Sequence, residues 1–187
     1  SVPANGPGGM SEPEDLQNLE RLTTFLREQE HVTHVYSLSD IMKRLNRNMH
    51  GDDDNYYRTP EDRDLSAQYL LLYELSLPYG LDLNDRINID KSATRVTATI
   101  ERATSTESKQ FFADVDNWMQ QNLPDSMHAK PTSAAVMFTY ISERTKQNMV
   151  LGTILAIAAI AIIMMVALRS LRLGILSLVP NGLPILT

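Results

Sequence analysis

The chain has 187 residues, no cysteine and a formal net charge of −6, with 23 acidic against 17 basic side chains. The missing cysteines exclude disulfides, thiolate nucleophiles and zinc–thiolate sites, and the acidic balance repels nucleic acid rather than gathering it. A mean hydropathy of −0.22 is that of an ordinary soluble domain, but the average hides two unlike parts, because no acidic residue follows Glu143.

The start, Ser1 to Met10, is rich in Gly and Pro and lacks the basic, apolar pattern of a signal peptide. Residues 1–12 therefore read as a flexible segment, and any export signal is expected upstream. A capping box is expected at Ser11, with Glu14 three residues on and Pro13 in the first turn. It opens a helix from about Glu12 to Glu30, whose apolar face is Leu16, Leu19, Leu22 and Leu26. Val32 to Ser37 is short, β-branched and aromatic, and reads as a strand. Ser39 then caps a short helix carrying Ile41 and Leu45, which ends near Gly51, and Asp52 to Tyr57 is a polar loop. Thr59 and Pro60 restart a helix with Leu65, Tyr69, Leu72 and Tyr73 as its buried stripe, and Pro78 and Gly80 break it.

From about Ala93 to Glu101 the chain alternates, with Val96, Ala98 and Ile100 on one face and Arg95, Thr97 and Thr99 on the other. That is a half-buried strand. Thr104 and Glu107 form a second capping box, and the helix behind it turns Phe111 or Phe112, Val115, Trp118 and Met119 inward until Pro124 ends it. Ser126 to Thr132 reads as one more strand, confined by Pro131 to an edge or a strand end. Val136, Met137, Tyr140 and Ile141 return to helical spacing and lead without a breaker into the next segment. The expected fold class is thus α+β: a split βαβ, ferredoxin-like domain whose first strand is missing and lies upstream.

Met149 to Leu168 contains no charge, and ten of its 20 residues are Ile, Leu or Val. A helix of that length rises roughly 30 Å, the hydrocarbon thickness of a bilayer. At about 0.3–0.6 kcal/mol per aliphatic residue, insertion is favoured by roughly 3–6 kcal/mol. The competing reading is a buried core helix, which is usually shorter and tolerates polar residues on one face. After the turn Arg169–Ser170–Leu171–Arg172, a second apolar run from Leu173 to Thr187 is too short to cross, so the chain is expected to stop inside a span. The result is a helical hairpin truncated in its last helix. Arg169 and Arg172 place the short turn in the cytoplasm and the large domain outside, although Arg144 and Lys146 nearly balance them on the other side. Pro180 and Pro184 would kink the second span, which suits a larger bundle.

Candidate chemistry is thin. His31 and His34 fall on opposite faces of an extended strand, so a shared metal is disfavoured. Asp52, Asp53 and Asp54 resemble the start of a calcium loop without its spaced glycine and closing glutamate, and a solvated loop is the simpler reading. Asp82 and Asp85 read as turn caps. No nucleophile elbow and no glycine-rich phosphate loop occurs, so no catalytic, cofactor-binding or metal-ligating residue is expected, and no cofactor. Met119, Met127, Met137, Met149, Met164 and Met165 form either a greasy path or ordinary core and lipid-facing packing.

Three stretches carry a resemblance: Tyr69 to Asn84 (YLLLYELSLPYGLDLN), Lys91 to Val96 (KSATRV) and Leu168 to Pro184 (LRSLRLGILSLVPNGLP). Together they resemble the RND superfamily of proton-driven exporters, and within it the MMPL-like, hydrophobe and amphiphile branch, from about Pro13 onward. The Arg-Ser-Leu-Arg turn before a proline-containing helix is the most specific part. The resemblance implies that residues 13–132 are the first periplasmic porter domain, 133–148 a connecting helix, 149–168 the second transmembrane helix, 169–172 a cytoplasmic turn and 173–187 the start of the third. It implies a multi-pass protein of the bacterial inner membrane that exports hydrophobic or amphiphilic, lipid-like molecules. Its partners would be the bilayer, the cargo and the remaining transmembrane helices of the same chain; a homo-oligomer is compatible with it. The family's proton-coupling acids lie in later helices, and none follows Glu143 here. Outside this reading stand a membrane-anchored sensor or interaction domain, and a protein-export or sterol-sensing relative. Several further spans with an intramembrane aspartate would favour transport; a cytosolic signalling domain would favour sensing.

Overall fold

The computed structural model describes residues 1–78, 83–101, 103–132 and 134–168. The chain divides into two compact units, residues 1–133 and 134–187.

The first unit is α+β. In chain order it contains β1 (Val2–Pro3), α1 (Pro13–Arg27), β2 (Val32–Tyr36), α2 (Leu38–Met49), α3 (Arg63–Ser76), β3 (Ala93–Thr94), β4 (Thr97–Ile100) and α4 (Ser105–Asn122). Its strands form two antiparallel ribbons, β1 with β3 and β2 with β4. The run 93–101, expected as one strand, is therefore two. Thr94 is in register with Val2 on one side and bridged to Ile87 on the other, and Arg95 N–H donates to the Arg86 carbonyl. Only after these residues are held does the chain join β2, with Ala98 opposite Val35. The alternation itself holds: Val96, Ala98 and Ile100 are half-buried, while Arg95, Thr97 and Thr99 are exposed. A strand does precede α1, but β1 pairs with β3 and not with the β2–β4 ribbon.

Leu16, Leu19, Leu22 and Leu26 of α1 are buried as their spacing requires, and with Val35, Ile41, Leu70, Val115 and Met119 they build one core. A fully buried leucine contributes about 1.5–3 kcal/mol, so this stripe outweighs any single polar contact in the unit. Phe25 of α1 stacks on Trp118 of α4 with ring centroids 4.6 Å apart. On α3, Tyr69 is buried and Leu65 and Tyr73 pack partly buried against the core as expected, while Leu72 faces outward and Ser66 and Leu70 take the remaining buried places.

Caps explain most boundary shifts. Ser11 does not open α1: it ends a 3-10 turn over Gly9–Ser11, and Glu12 stands at the N-cap without a side-chain bond. Ser37, not Ser39, caps α2, accepting from Ser39 N–H at 3.3 Å. α3 starts at Arg63 because the Asp62 carboxylate accepts from Leu65 N–H at 2.8 Å, a stronger acceptor than the Thr59 hydroxyl. Thr104 and Glu107 do form the capping box of α4. Ser126 to Thr132 is not a strand: a 3-10 turn spans Asp125–Met127 and buries Met127 completely. Pro131 could supply no ladder donor there.

Residues 1–12, loose by composition, pack against the body: Val2, Ala4, Met10 and Ser11 are buried.

The second unit contains α5, one helix over Ala134–Leu168. The expected turn 169–172, the following run 173–187 with Pro180 and Pro184, and the breaker Gly80 lie outside the described residues.

Candidate functional site

α5 is 35 residues long, so its axis extends about 52 Å. A span needs about 20 residues, and by length and apolar composition the strongest window is Arg144–Ile163, 20 residues. That window starts five residues before the expected Met149. What separates it from a core helix is exposure. Only 6% of the window is buried, and Leu155 is 61% and Val166 72% exposed. The same aliphatic types that lie inside the first unit face outward here. Thr153, the hydroxyl within the apolar run, donates to the Met149 carbonyl one turn back at 2.8 Å, so it carries no unmet donor into hydrocarbon. Gly152 does not interrupt the helix, and a β-carbon there would meet nothing within 4 Å. The helix therefore does not need glycine for close packing at this point.

N-terminal to the apolar run of α5, Met137 and Ile141 are exposed one turn apart, and Arg144 and Lys146 are exposed at its edge. These cations suit the polar headgroup layer, where long basic side chains keep their charge wet while their stems lie along apolar surface.

The remaining sequence candidates separate cleanly. His34 is exposed on β2, and His31 precedes that strand and accepts the Glu101 N–H through its carbonyl at 3.0 Å. Among the described residues no group of three His, Cys, Asp or Glu side chains is placed to hold a metal. Asp52, Asp53 and Asp54 act as turn and pairing groups. Asp53 accepts from Asn55 N–H at 2.9 Å, and Asp54 pairs with Arg47 at 3.3 Å. Asp85 ends a 3-10 turn and pairs with Arg86 at 3.1 Å; Asp82 lies outside the described residues. The methionines divide: Met119 and Met127 are core, Met137 and Met149 are exposed on α5.

Sequence reasoning missed an ion network between α1 and α2. Lys43, largely buried, reaches Glu20 at 2.5 Å and Asp40 at 3.4 Å. Arg27 bonds the Asp40 carboxylate at 2.6 Å and the Val35 carbonyl at 3.1 Å. The bond to Asp40, opposed by partial burial, holds the Arg27 guanidinium above its already high ordinary range. Burial pushes the Tyr36 phenol up as well, against the Arg86 guanidinium lying 4.3 Å over its ring. Partners so distant in sequence carry no local pattern, so only the fold reveals them. They fasten helices together and offer no reacting atom.

A comparison with protein families matches residues 14–183 to the MMPL family. No curated protein and no solved structure matches the chain.

Proposed function

Because the chain belongs to the MMPL family, a family of membrane transporters, we propose that it is part of a proton-driven secondary transporter exporting hydrophobic or amphiphilic, lipid-like molecules. The observation that carries this reading is the long helix whose apolar residues point outward, since only a lipid solvent makes that placement favourable. Residues 13–132 are the porter domain, a split βαβ to which the β2–β4 ribbon and the Phe25–Trp118 helix contact contribute. Residues 149–168 are the span, in a bacterial inner membrane with the large domain in the periplasm.

The mechanical argument is length. About 20 residues fill the hydrocarbon, and the rest of the 35-residue helix projects out of it as an unbroken rod. Tilting such a rod converts a small displacement in the membrane into a larger one at its far end. Ile141 lies in the projecting part and is exposed, so Ile141→Pro breaks the rod without emptying a core site. Proline removes a helical hydrogen bond and clashes with the preceding turn, costing about 3 kcal/mol locally. In the full-length protein the variant should insert normally and lose export. Wild-type efflux from the correctly inserted variant would refute the lever.

A further inference from the structure

Residues 1–12 are built as a strap. The β1 residues Val2 and Pro3 lie in register with Thr94 and Ala93, and the N–H groups of Ala4, Gly8 and Met10 donate to the carbonyls of Ser92, Asp90 and Lys91. Gly6 and Gly8 have φ of +82° and +74°, a backbone that other residues adopt only under strain, and they fold the strap back on itself. At Gly9 a β-carbon would lie 2.8 Å from that of Ala4. The fold-back delivers one long side chain, Met10, inward. The turn bearing it touches α1, α3 and β3, and Met10 is fully buried in the cluster that holds Leu16, Leu70 and Met127.

Two features distinguish this plug from the rest of the core. Its fastenings are mostly main-chain: the β1 pairing with Ala93 and Thr94, backbone bonds to residues 90–92 and the Asn5 N–H donated to the Asp15 carboxylate at 3.2 Å, with a largely exposed Glu12–Arg63 pair that adds little. Its buried apolar content is small beside the leucine stripe of α1, and segments of that kind open at low free energy while the body stays folded. The recess is also moulded around an unbranched, adaptable chain, since methionine has three rotatable bonds and no polar head.

We propose that residues 1–12 are a displaceable clasp: seated, they fill an apolar recess between α1 and α3 with Met10; lifted, they open it to the hydrocarbon part of an amphiphile. The ligand class rests on the transporter reading above; the movement of the clasp does not. The chain has no cysteine, so Met10→Cys in the full-length protein reports directly through labelling by N-ethylmaleimide in membrane vesicles. Its labelling should run at least ~10-fold faster than that of Leu19→Cys, an equally buried α1 position, because only the former leaves its site by local opening. Lysophosphatidylcholine should increase the labelling of the lifted clasp by holding the recess open. Equal rates at the two positions overturn the clasp, and labelling indifferent to the lipid overturns the recess as a hydrocarbon site.

A second variant closes the clasp. Pro3 and Ala93 are register partners, and Pro3 has no N–H to lose from the ladder, so Pro3→Cys with Ala93→Cys forms a cross-strand disulfide. Oxidised, the pair should abolish efflux of a lipophilic dye, and reductant should restore it. Unchanged efflux with the disulfide closed overturns the proposal. No efflux even from wild type, with Met10→Cys still labelling fast, removes the transporter reading and leaves the clasp standing.

Discussion

The first unit and α5 use the same aliphatic residues in opposite ways. Leu16, Leu19 and Leu22 point into a core, and the outward faces around them carry ion pairs such as Arg27–Asp40 and Arg63–Glu12. On α5, Leu151, Ile154, Leu155 and Ile162 point out, and no charged side chain accompanies them beyond Lys146 within the helix. Burial is favourable wherever apolar surface leaves water. The first unit achieves this by folding on itself, whereas α5 leaves its apolar side chains facing outward. The difference teaches that hydropathy averaged over the chain has no meaning here, because the two regions place the same residue types on opposite sides of their surface.

The largest effect that tests this contrast comes from charging the outward face. Ile154→Asp combined with Ile162→Asp places two carboxylates in the apolar run at about 2.5–3.5 kcal/mol each, against roughly 3–6 kcal/mol favouring insertion. Expressed as residues 1–168, with α5 as the one candidate span among the described residues, the double variant should leave the membrane fraction in alkaline extraction. Retention would mean that protein, not lipid, covers those positions. A smaller effect separates the two regions directly. Leu19→Ala should destabilise the first unit by about 2–5 kcal/mol, because it empties a closed site. Leu155→Ala leaves no cavity and should cost only a few tenths of a kcal/mol, about the insertion scale of one aliphatic residue. Denaturant unfolding of the two variants in detergent would reverse the contrast if the assignment of inside and outside were wrong.

What was legible in the sequence follows the same division. The long apolar helix could be read because it requires no partner: an uncharged run of 20 residues is continuous in the sequence and lies within α5. The Thr104–Glu107 box was legible for the same reason, since both partners lie within one turn. Where distant contacts decide, local reading failed. Ser11 looked like a cap, but Met10 N–H is bound to the Lys91 carbonyl and the chain turns there instead. The run 93–101 looked like one strand, but Thr94 is claimed by Val2 and Ile87 together. Residues 1–12 looked loose because their Gly and Pro content is local, while what seats them, residues 90–94, is some eighty positions away. Family membership was legible from short patterns in both regions, and the match covers residues 14–183.

Gly152 allows a sharper test of whether α5 acts as a rod. Replacing it by Ala meets no atom within 4 Å and removes the backbone freedom of glycine, worth about 1 kcal/mol of helix propensity in the opposite sense. A stiff lever gains from the change, so Gly152→Ala should keep or raise efflux. A lever that pivots at Gly152 should lose efflux while the helix content measured by circular dichroism stays the same or rises.

The smallest expected effect lies in the first unit and depends on pH. Glu107 accepts the Thr104 backbone N–H at 2.7 Å, and its own N–H donates to the Thr104 hydroxyl. The Thr104 backbone N–H first, then the Thr104 hydroxyl acting on the carboxylate, holds the Glu107 carboxyl below the ordinary glutamate range. A carboxyl lowered in the folded state binds fewer protons there than in the unfolded chain, so stability rises with pH across that interval. The contribution is complete above the ordinary glutamate range and is lost as pH falls through the lowered folded value. Because Glu107 is fully exposed, the loss should be confined to fraying of the first turn of α4. Hydrogen exchange at Thr104 and the next three amides should quicken, relative to Val115 and Met119, as the solution is acidified through that window. Glu107→Gln, which keeps the acceptor but not the charge, should flatten the pH dependence while retaining most of the protection. An equally steep response in the glutamine variant would assign the acid sensitivity to a different carboxylate.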